Sequence, residues 1–598
     1  MALVWSLLVA PLVVAVVVLR DPQWYPLLDQ AVIEMRIRDV WSSDPPLLGI
    51  YGRFGPPGQE ASHPGPLSFF AIWPLYQLFG AAAWAMQAAS ASLHAIAIAV
   101  ALWIGHRRGG VTMALVIAAT IAVLTRFYGP FTLTDPWTPY LPMLWWLVFL
   151  LAVWSVLCDD LLLLPVVVLT GSFCTQAHAG YAGLTVGLGG LALAVAAVTA
   201  FRRRRNRADS LIRLVRWTAV SAVVSVLVWA PPLFEEISGQ PGNLAKLRDY
   251  FSNSPEAPIG ARGGAKLLLS HLDPTALVIG QLGPSDLVDI GSPLPGLVML
   301  VVWAVSVAMA WQLGLSALSR LHLAVGAALL LALVTMSRIF GALWNYLVPW
   351  AWSILVLMVV AVGWTFGAWA AARTPLPADR RTALGLRLTM LGVAGLASAA
   401  FGVDALRAEI SRPDLSAIMD QIVPATADAL ADGSGPGGGR SGRYLVTWSD
   451  PAHLGTQGYG LLNELERRRF HVGAEPLYGA PVRPRRVLDR DAASAVVVLA
   501  TGVRVEEWRA QPGMKEVIYV DLRSPAERAE YDRLRSTSKE DLRAADRPEL
   551  ADVLDTNPWG VRFHPDASQR VRDAIVRMTD IGVPTAVFVG PPEAATLH

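Results

Sequence analysis

Long apolar runs recur through the first two thirds of the chain, separated by short loops that carry most of the Gly, Pro and charged residues. A helix must present about twenty apolar residues to cross the ~30 Å hydrocarbon core of a bilayer, and these runs meet or approach that length. The pattern predicts about eleven membrane-spanning helices, at 2–19, 84–104, 111–127, 139–157, 161–176, 181–201, 217–233, 295–313, 321–337, 343–372 (bent near Pro349) and 382–401. The first run lacks a basic n-region and a small-x-small cleavage site, which favours a retained helix over a signal peptide.

Two stretches within this region do not fit a span. Residues 20–83 form a first external loop, which begins with an amphipathic segment and continues through a Gly- and Pro-rich one. It ends in an apolar run that is short and broken by Pro74, as is typical of an interfacial helix. Residues 234–292 form a second long external loop, with a predicted surface helix near 243–250.

The pattern changes after Phe401. Residues 403–441 read as a charged connector followed by a Gly-rich linker, and residues 442–598 alternate β-rich with helical runs. Strands are predicted at 444–448, 495–500, 516–521 and 585–589, and helices at 458–469, 524–535 and 566–580. Such alternation indicates a small α/β domain with a mostly parallel sheet. The predicted fold class is an α-helical polytopic membrane protein, domain 1–402, with a C-terminal α/β domain at 442–598.

Basic residues in short loops predict the orientation of the helices. If the N-terminus is cytoplasmic, the predicted inner loops hold the basic clusters, whereas the short outer loops at 132–140 and 176–181 contain no Lys or Arg. An odd number of spans then places the C-terminal domain outside the cytoplasm. The predicted location is a plasma membrane.

Composition excludes several classes of protein. Hydrophobic residues make up 54% of the 598 and charged residues 16%, against about 25% charged in soluble domains. This excludes a wholly soluble enzyme and a disordered chain. The net charge of +2 provides no field for a polyanion, so no nucleic-acid partner is expected. Cys158 and Cys174 lie in apolar runs and match no metal-ligand spacing.

The first external loop concentrates charge in one short helix that contains Asp29, Glu34, Arg36, Arg38 and Asp39. One interpretation is an interfacial helix stapled by the pairs Glu34–Arg38 and Arg36–Asp39, which are four and three residues apart. The other is catalytic. Sugar transfer from a polyprenyl phosphate to a hydroxyl needs a base for the acceptor proton and positive charge for the departing phosphate. Asp29 could be that base, and Arg36, Arg38 or a divalent metal could bind the phosphate.

The order of features here resembles the GT-C superfamily of glycosyltransferases. The chain has an N-terminal span, an acidic helix beyond it, the run His-Pro-Gly-Pro-Leu at 63–67, an aromatic-rich helix and then Phe79-Gly80. In protein O-mannosyltransferases and lipid A aminoarabinose transferases, a His-Pro-Pro-Leu-type motif occupies this place. The layout also resembles GT-C-type membrane proteins of high-GC Gram-positive bacteria. The chain departs from the family pattern in having Gln30 after Asp29 instead of a second acid, and Pro-Gly-Pro instead of Pro-Pro.

The resemblance implies a sugar donor linked to polyprenyl phosphate and a cell-envelope glycan, lipid or protein as acceptor, outside the membrane. It implies that Asp29 is the catalytic base and that Asp135, in the next external loop, binds acceptor or metal. Mg²⁺, Mn²⁺ or Ca²⁺, held by Asp29 and Asp135, is the implied metal. Glu34 is a further site candidate.

Four other residues are candidates, each with an alternative. His63 could orient a carboxylate or contact donor phosphate, or it is a turn residue before Pro64. His178, at an external turn, could line a cavity or bond locally. Lys246 could reach a lipid phosphate or snorkel to headgroups. Arg338 lies at the outer end of a span, where the positive-inside bias does not explain it, which favours a phosphate contact.

Two alternative functions and one weak motif in the C-terminal domain also follow from the sequence. A transporter or flippase would predict related halves and polar mid-spans, and neither is evident in the sequence. A non-catalytic scaffold with a degenerate transferase fold stays open because the second acid after Asp29 is missing. In the C-terminal domain, Asp450 and His453 follow a predicted strand, where α/β domains often bind ligands, although an Asp there is usually a helix cap.

Overall fold

The computed structural model describes residues 1–55, 60–202, 207–283, 287–288, 290–373, 380–433, 437–482 and 485–595. The chain forms two compact units. The helical unit comprises Met1–Asp21 and Pro45–Ile410, and the α/β unit comprises Pro22–Asp44 and Ser411–His598.

Helices dominate the chain up to residue 431. In chain order they are α1 (Ala2–Val18), α2 (Leu28–Arg38), α3 (Leu67–Leu78), α4 (Ala83–Thr134), α5 (Met143–Leu157), α6 (Leu164–Ala177), α7 (Ala182–Arg202), α8 (Arg207–Ser238), α9 (Asn243–Asn253), α10 (Gly260–Ser270), α11 (Pro274–Ile279), α12 (Leu294–Leu313), α13 (Ser316–Ser337), α14 (Trp350–Arg373), α15 (Arg380–Ala405) and α16 (Pro413–Ala431). A short antiparallel pair, β1 (Tyr51–Phe54) and β2 (Ala61–Ser62), precedes α3.

The apolar helices of the helical unit coincide with the predicted spans. Within the described residues, seven helices are long and apolar enough to cross a membrane, and α1, α5 and α6 are shorter apolar helices. The longest, α4, is interrupted at Gly109 and Gly110, where Gly110 adopts a φ of +62°, so it supplies two of the predicted spans. Gly takes this left-handed conformation at little steric cost. The polytopic helical fold is therefore confirmed.

One predicted span starts later than expected. Residues 343–349 are not part of α14, which begins at Trp350, and a 3₁₀ turn occupies Asn345–Leu347. A proline inside a helix lacks a backbone N–H donor and its ring clashes with the preceding turn, and Val348 before it is not helical (φ −130°), so the helix starts after Pro349 instead of bending there.

Basic loops that are predicted to be cytoplasmic meet at one end of the helical unit. Arg107 Nη2 donates to Asp160 Oδ1 at 2.9 Å, and Arg213 lies 3.6 Å from Asp159. Arg108 stacks over the ring of Trp154 in α5. The acidic pair thus joins two basic loops that are distant in sequence. Which side of a membrane this end faces stays a prediction.

The α/β unit contains a five-stranded sheet. Its elements after α16 are β3 (Arg443–Ser449), α17 (Thr456–Arg467), β4 (His471–Ala474), β5 (Ala495–Thr501), α18 (Arg504–Arg509), β6 (Lys515–Val520), α19 (Pro525–Ala544), α20 (Pro548–Val553), α21 (Pro558–Phe563), α22 (Gln569–Ile581) and β7 (Thr585–Gly590). The strand order is β4-β3-β5-β7-β6, with β4, β3 and β5 parallel and β7 antiparallel to both its neighbours. The four predicted strands are confirmed, and β4 is additional. The sheet is mixed: β4, β3, β5 and β6 run in one direction, as expected of a mostly parallel sheet, and β7 runs opposite to them.

Two expected domain boundaries change. The amphipathic part of the first loop, Pro22–Asp44, belongs to the α/β unit, and so does the chain from Ser411, which was expected to be a connector. The reason is burial of apolar side chains. Val32 and Met35 of α2 and Met419 of α16 share one core with Leu461 and Leu465 of α17.

Candidate functional site

Asp29, the proposed base, lies in the first turn of α2 and is half-buried. A carboxylate is favoured at this end of a helix because the backbone N–H groups there carry partial positive charge. The preceding residue, Leu28, has a φ of +43°. A non-glycine residue in the left-handed region costs about 1–3 kcal/mol and often marks a functional site. The start of α2 therefore holds backbone strain directly beside the candidate base.

Glu34 lies deeper in the same helix, and its side chain is fully buried. Asn463 Nδ2 donates to Glu34 Oε2 at 2.7 Å, and Arg467 Nη1 donates to Oε1 at 3.0 Å. Arg38, one turn along α2, lies 3.8 Å from the same carboxylate. A buried carboxylate requires such compensation, so Glu34 ties α2 to α17.

Asp39 follows α2 and is also fully buried. Arg486 binds it through both terminal nitrogens, at 2.7 Å to Oδ2 and 2.9 Å to Oδ1. Arg485 and Arg36 approach it at 3.2 and 3.5 Å. Arg486 also donates to Glu466 at 2.9 Å. We call these contacting groups the α2 ion-pair cluster: Glu34, Arg36, Arg38, Asp39, Asn463, Glu466, Arg467, Arg485 and Arg486.

Interactions within the cluster keep its charged side chains ionised. Burial works to lower the pKa of Arg486, but its hydrogen bonds to Asp39 and the charge of Glu466 raise it above its ordinary value. Burial works to raise the pKa of Glu466, but the charges of Arg486 and Arg38 lower it. Both groups therefore stay ionised at neutral pH.

Arg36 and Arg38, predicted as phosphate contacts, belong to this cluster. The two predicted pairs, Glu34–Arg38 and Arg36–Asp39, are confirmed at 3.8 and 3.5 Å. Arg38 also donates to Asn463 Oδ1 at 2.9 Å and pairs with Glu466. A phosphate contact by Arg38 would have to replace these bonds, so that role stays a prediction.

In the helical unit, His63 and His178 lie against each other. Their ring centroids are 5.0 Å apart, and both residues are buried. The backbone N–H of Ala179 donates to His63 Nδ1 at 3.1 Å, and that of Gly180 donates to His178 Nδ1 at 3.3 Å. Because each Nδ1 accepts a hydrogen bond, each neutral ring carries its proton on Nε2. The pair therefore offers two N–H donors and no acceptor nitrogen.

Burial determines the charge of this pair. It lowers the pKa of His63 well below 6.5, with a further contribution from His178, and it lowers the pKa of His178 to about 4. Both rings are therefore neutral at pH 7. They can donate hydrogen bonds to a ligand but supply no positive charge to a phosphate.

This pair predicts an acid-sensitive stability. Below pH 6.5 the two histidines bind protons in the unfolded state but not in the folded state. The free energy of unfolding therefore falls as the pH drops towards 4. For His178 the loss is about 2 kcal/mol at pH 5. The melting temperature of the protein in detergent, measured at pH 7.5 and at pH 5.0, reports this loss of stability. His178→Gln should make the two melting temperatures more alike. The exposed His106 provides a control, because His106→Gln should leave this difference in melting temperature unchanged. The same difference in wild type, His178→Gln and His106→Gln would contradict the assignment.

Aromatic rings connect His178 to the loop of Asp135. The Tyr346 ring lies 6.3 Å from His178 and 4.8 Å from Trp137. Asp135, which caps α4, is buried, and its Oδ1 accepts the Trp137 N–H at 2.8 Å. Loops distant in sequence thus meet at one end of the helical unit, as expected for loops on the same side of a membrane.

Arg338 and Lys246 extend this end. Arg338 is exposed at the end of α13, where it donates to Phe251 O at 2.6 Å and lies over the Phe340 ring. Lys246 is half-buried on α9, one turn from Asn243. Asn243 forms two hydrogen bonds with the Ser62 backbone, at 2.8 and 3.0 Å, and Ser62 precedes His63. Their phosphate roles stay predictions.

The described residues contain no group of three or more His, Cys, Asp or Glu side chains arranged to hold a metal ion. Asp29 and Asp135 lie in different units. The divalent metal that the resemblance implies stays a prediction.

Sequence reasoning did not find the partners of α2. Asn463, Glu466 and Arg486 are as far as 451 residues from the α2 atoms that they contact. The double arginine at 485–486, next to Pro484 in sequence, gave no signal of its own, because basic residues are common on surfaces.

The weak motif of the α/β unit lies at the carboxyl ends of β3 and β5. Asp450 and His453 are buried, and Asp450 Oδ1 accepts the Thr501 hydroxyl at 2.8 Å and the His453 N–H at 3.2 Å. Burial works to raise the pKa of Asp450, but its interactions with His453 and its hydrogen bond from Thr501 lower it. Asp450 does not cap the next helix, because α17 begins at Thr456 and its N-cap is Gly455; the bonds of Asp450 instead hold the turn between β3 and α17.

Solved structures of two known proteins, ArnT and AglB, are similar to this chain. ArnT from Cupriavidus metallidurans in the apo state has a TM-score of 0.48 at 14% identity, covering 86% of this chain and 95% of ArnT. The ArnT structure bound to undecaprenyl phosphate has 0.45 at 16% identity and the same coverage. The oligosaccharyltransferase AglB from Archaeoglobus fulgidus, in complex with an inhibitory peptide and a dolichol-phosphate, has 0.37 at 11% identity, covering 76% of this chain and 63% of AglB.

Sequence comparisons give no assignment. No family model matches the chain, and no curated protein matches it in sequence. With identities of 16% or less and TM-scores below 0.5, the structural alignments carry no functional argument, and a proposal must rest on the residues themselves.

Proposed function

We propose that this protein is a membrane glycosyltransferase that moves a sugar from a polyprenyl-phosphate donor to a cell-envelope acceptor outside the membrane. The observation that carries the proposal is the position of Asp29. This half-buried carboxylate follows an apolar N-terminal helix closely in sequence, next to the left-handed Leu28. A base for a hydroxyl proton has to be fixed in this way near the membrane surface, where a lipid-linked phosphate lies.

The proposed reaction balances with one base. The acceptor hydroxyl oxygen attacks the anomeric carbon of the donor sugar and forms the new glycosidic bond. The bond between that carbon and the phosphate oxygen breaks, and the polyprenyl phosphate leaves with its electron pair. Asp29 takes the hydroxyl proton.

Other roles are proposed residue by residue. Arg338 and Lys246 carry the positive charge for binding donor phosphate. The neutral His63 and His178 rings are hydrogen-bond donors for sugar or phosphate oxygens. Asp135, held in its turn by the Trp137 N–H, is a proposed acceptor contact. Each assignment can be tested alone.

Membranes from cells that express the chain test the function. They would receive radiolabelled pentosyl and hexosyl polyprenyl phosphates, including the undecaprenyl lipid named in the ArnT structure, and the label would be followed into envelope polymers, lipids and proteins. Label in an envelope product, absent from vector membranes, supports transfer. Vesicle uptake of intact donor without product would favour the transporter alternative, and neither activity would favour the scaffold.

Orientation provides a separate prediction. The predicted odd number of spans and the basic inner loops place the C-terminus outside the cytoplasm. A C-terminal alkaline phosphatase fusion should be active, whereas a C-terminal green fluorescent protein fusion should be dark after export. Fusions after Arg202 should show the reverse pattern and serve as an internal control. Cytoplasmic reporter activity at the C-terminus would contradict the span count.

A further inference from the structure

We propose that the α/β unit positions the catalytic base: it holds helix α2 at both ends and so fixes Asp29. This inference rests on the proposed function, because it concerns the residue assigned as the base. It gives the C-terminal part of the chain a role in the reaction through Asp29, without contact with substrate.

The chain just before α2 is anchored to α16. The Tyr25 backbone N–H donates to Ser416 Oγ at 3.0 Å, and the Tyr25 hydroxyl donates to Asp420 Oδ1 at 3.0 Å. Tyr25 and Leu27 are buried in the core of the α/β unit. The chain is therefore fixed only a few residues before Asp29.

The other end of α2 is fixed by charge. Asp39 receives two hydrogen bonds from Arg486, and Glu34, midway, receives bonds from Asn463 and Arg467. Both carboxylates are fully buried. A helix that is bonded along its length in this way cannot shift without exposing or unpairing a buried charge.

Gly460 allows the close approach at the start of α2. A Cβ on Gly460 would lie 2.8 Å from Leu27 Cδ2 and 3.1 Å from Pro26 O. The Leu27 side chain can rotate away, but the Pro26 carbonyl is backbone, so a methyl group at 460 requires a shift of a few tenths of an ångström where the chain leads into α2. Such a shift lies just upstream of Asp29, and a displacement of a catalytic group by about 1 Å can cost ~100-fold in rate.

Gly460→Ala is a precise displacement test. Alanine favours helix over glycine, so a loss of activity cannot arise from a weaker α17. In Gly460→Ala we expect kcat for sugar transfer to fall at least tenfold with the donor KM nearly unchanged. In Gly460→Val we expect kcat to fall further. Asn463→Ala, which removes one bond to Glu34 and one to Arg38, should lower kcat by a smaller factor.

A matched control lies elsewhere in the α/β unit. Asp555, which follows α20, pairs with Arg535 and Lys539 of α19, so Asp555→Ala removes ion pairs of the same unit away from α2. Its kcat should equal that of wild type in the fraction that remains folded.

The outcomes separate the two proposals. If Gly460→Ala and Gly460→Val keep the wild-type kcat, or Asp555→Ala lowers kcat as much as Gly460→Ala, the positioning role is wrong. If Asp29→Asn keeps the wild-type kcat, the proposed function of Asp29 is wrong. If Gly460→Ala does not fold, Asn463→Ala decides: an unchanged kcat overturns the positioning role, and a lowered kcat with unchanged donor KM supports it.

Discussion

Replacement of Asp29 by Asn is expected to lower the rate of sugar transfer by about 10²- to 10⁴-fold, the range over which a positioned general base contributes. The amide has nearly the same shape but cannot take the acceptor proton. Donor binding should change little, because Asp29 carries no proposed contact with the donor phosphate. Transfer kinetics with a labelled donor, measured in membranes with equal amounts of protein, give the kcat and the KM.

Asp44 provides the matched control for this substitution. It is an exposed carboxylate that follows α2 in the same segment, and Asp44→Asn makes the same change of charge. Its rate should match that of wild type. Full activity of Asp29→Asn, or an equal loss in both variants, would remove Asp29 from the mechanism.

Replacement of Arg486 by Met is expected to lower the free energy of unfolding of the α/β unit by about 3–5 kcal/mol. The substitution removes the two short hydrogen bonds to the buried Asp39, which Arg485 and Arg36 at 3.2 and 3.5 Å compensate only in part. Breaking a buried ion pair by removing one partner carries a cost of this size. Hydrogen exchange of backbone amides in β3 and β5, in the full-length protein, measures the loss as faster exchange through opening of the unit.

The control is an arginine at the surface of the same unit. Arg509 pairs with Glu506 and Glu516 where water competes for the charges. Arg509→Met should leave exchange in β3 and β5 unchanged, because exposed ion pairs contribute little. Equal exchange rates in Arg486→Met and wild type would show that the α2 ion-pair cluster does not stabilise the unit.

The helices and most strands were predictable from local pattern. A membrane requires every backbone polar group to be bonded within the segment, so long apolar runs become helices with few alternatives. The sheet strands followed from β-rich runs between helices. The strand β4 was missed because it has only four residues and includes Gly473, and its pairing with β3 supplies what the local sequence lacks.

The assignment of α2 to the α/β unit could not be predicted. The pairs Glu34–Arg38 and Arg36–Asp39 were visible because helical spacing sets them. The pairs with Arg467 and Arg486 join residues more than 400 positions apart, and one sequence gives no signal for such contacts. For the same reason, His63 and His178 were candidates individually, whereas their contact is a finding of the structure.

The central claim is that the chain transfers sugar from a lipid phosphate, and purified protein in bilayer nanodiscs tests it most directly. The measurement is the amount of free polyprenyl phosphate and of glycosylated acceptor formed from a labelled donor. The account predicts both products in equal amounts, with Asp29→Asn forming both at least about 100-fold more slowly. Donor that stays intact with every acceptor offered, or products formed equally by Asp29→Asn, would contradict it.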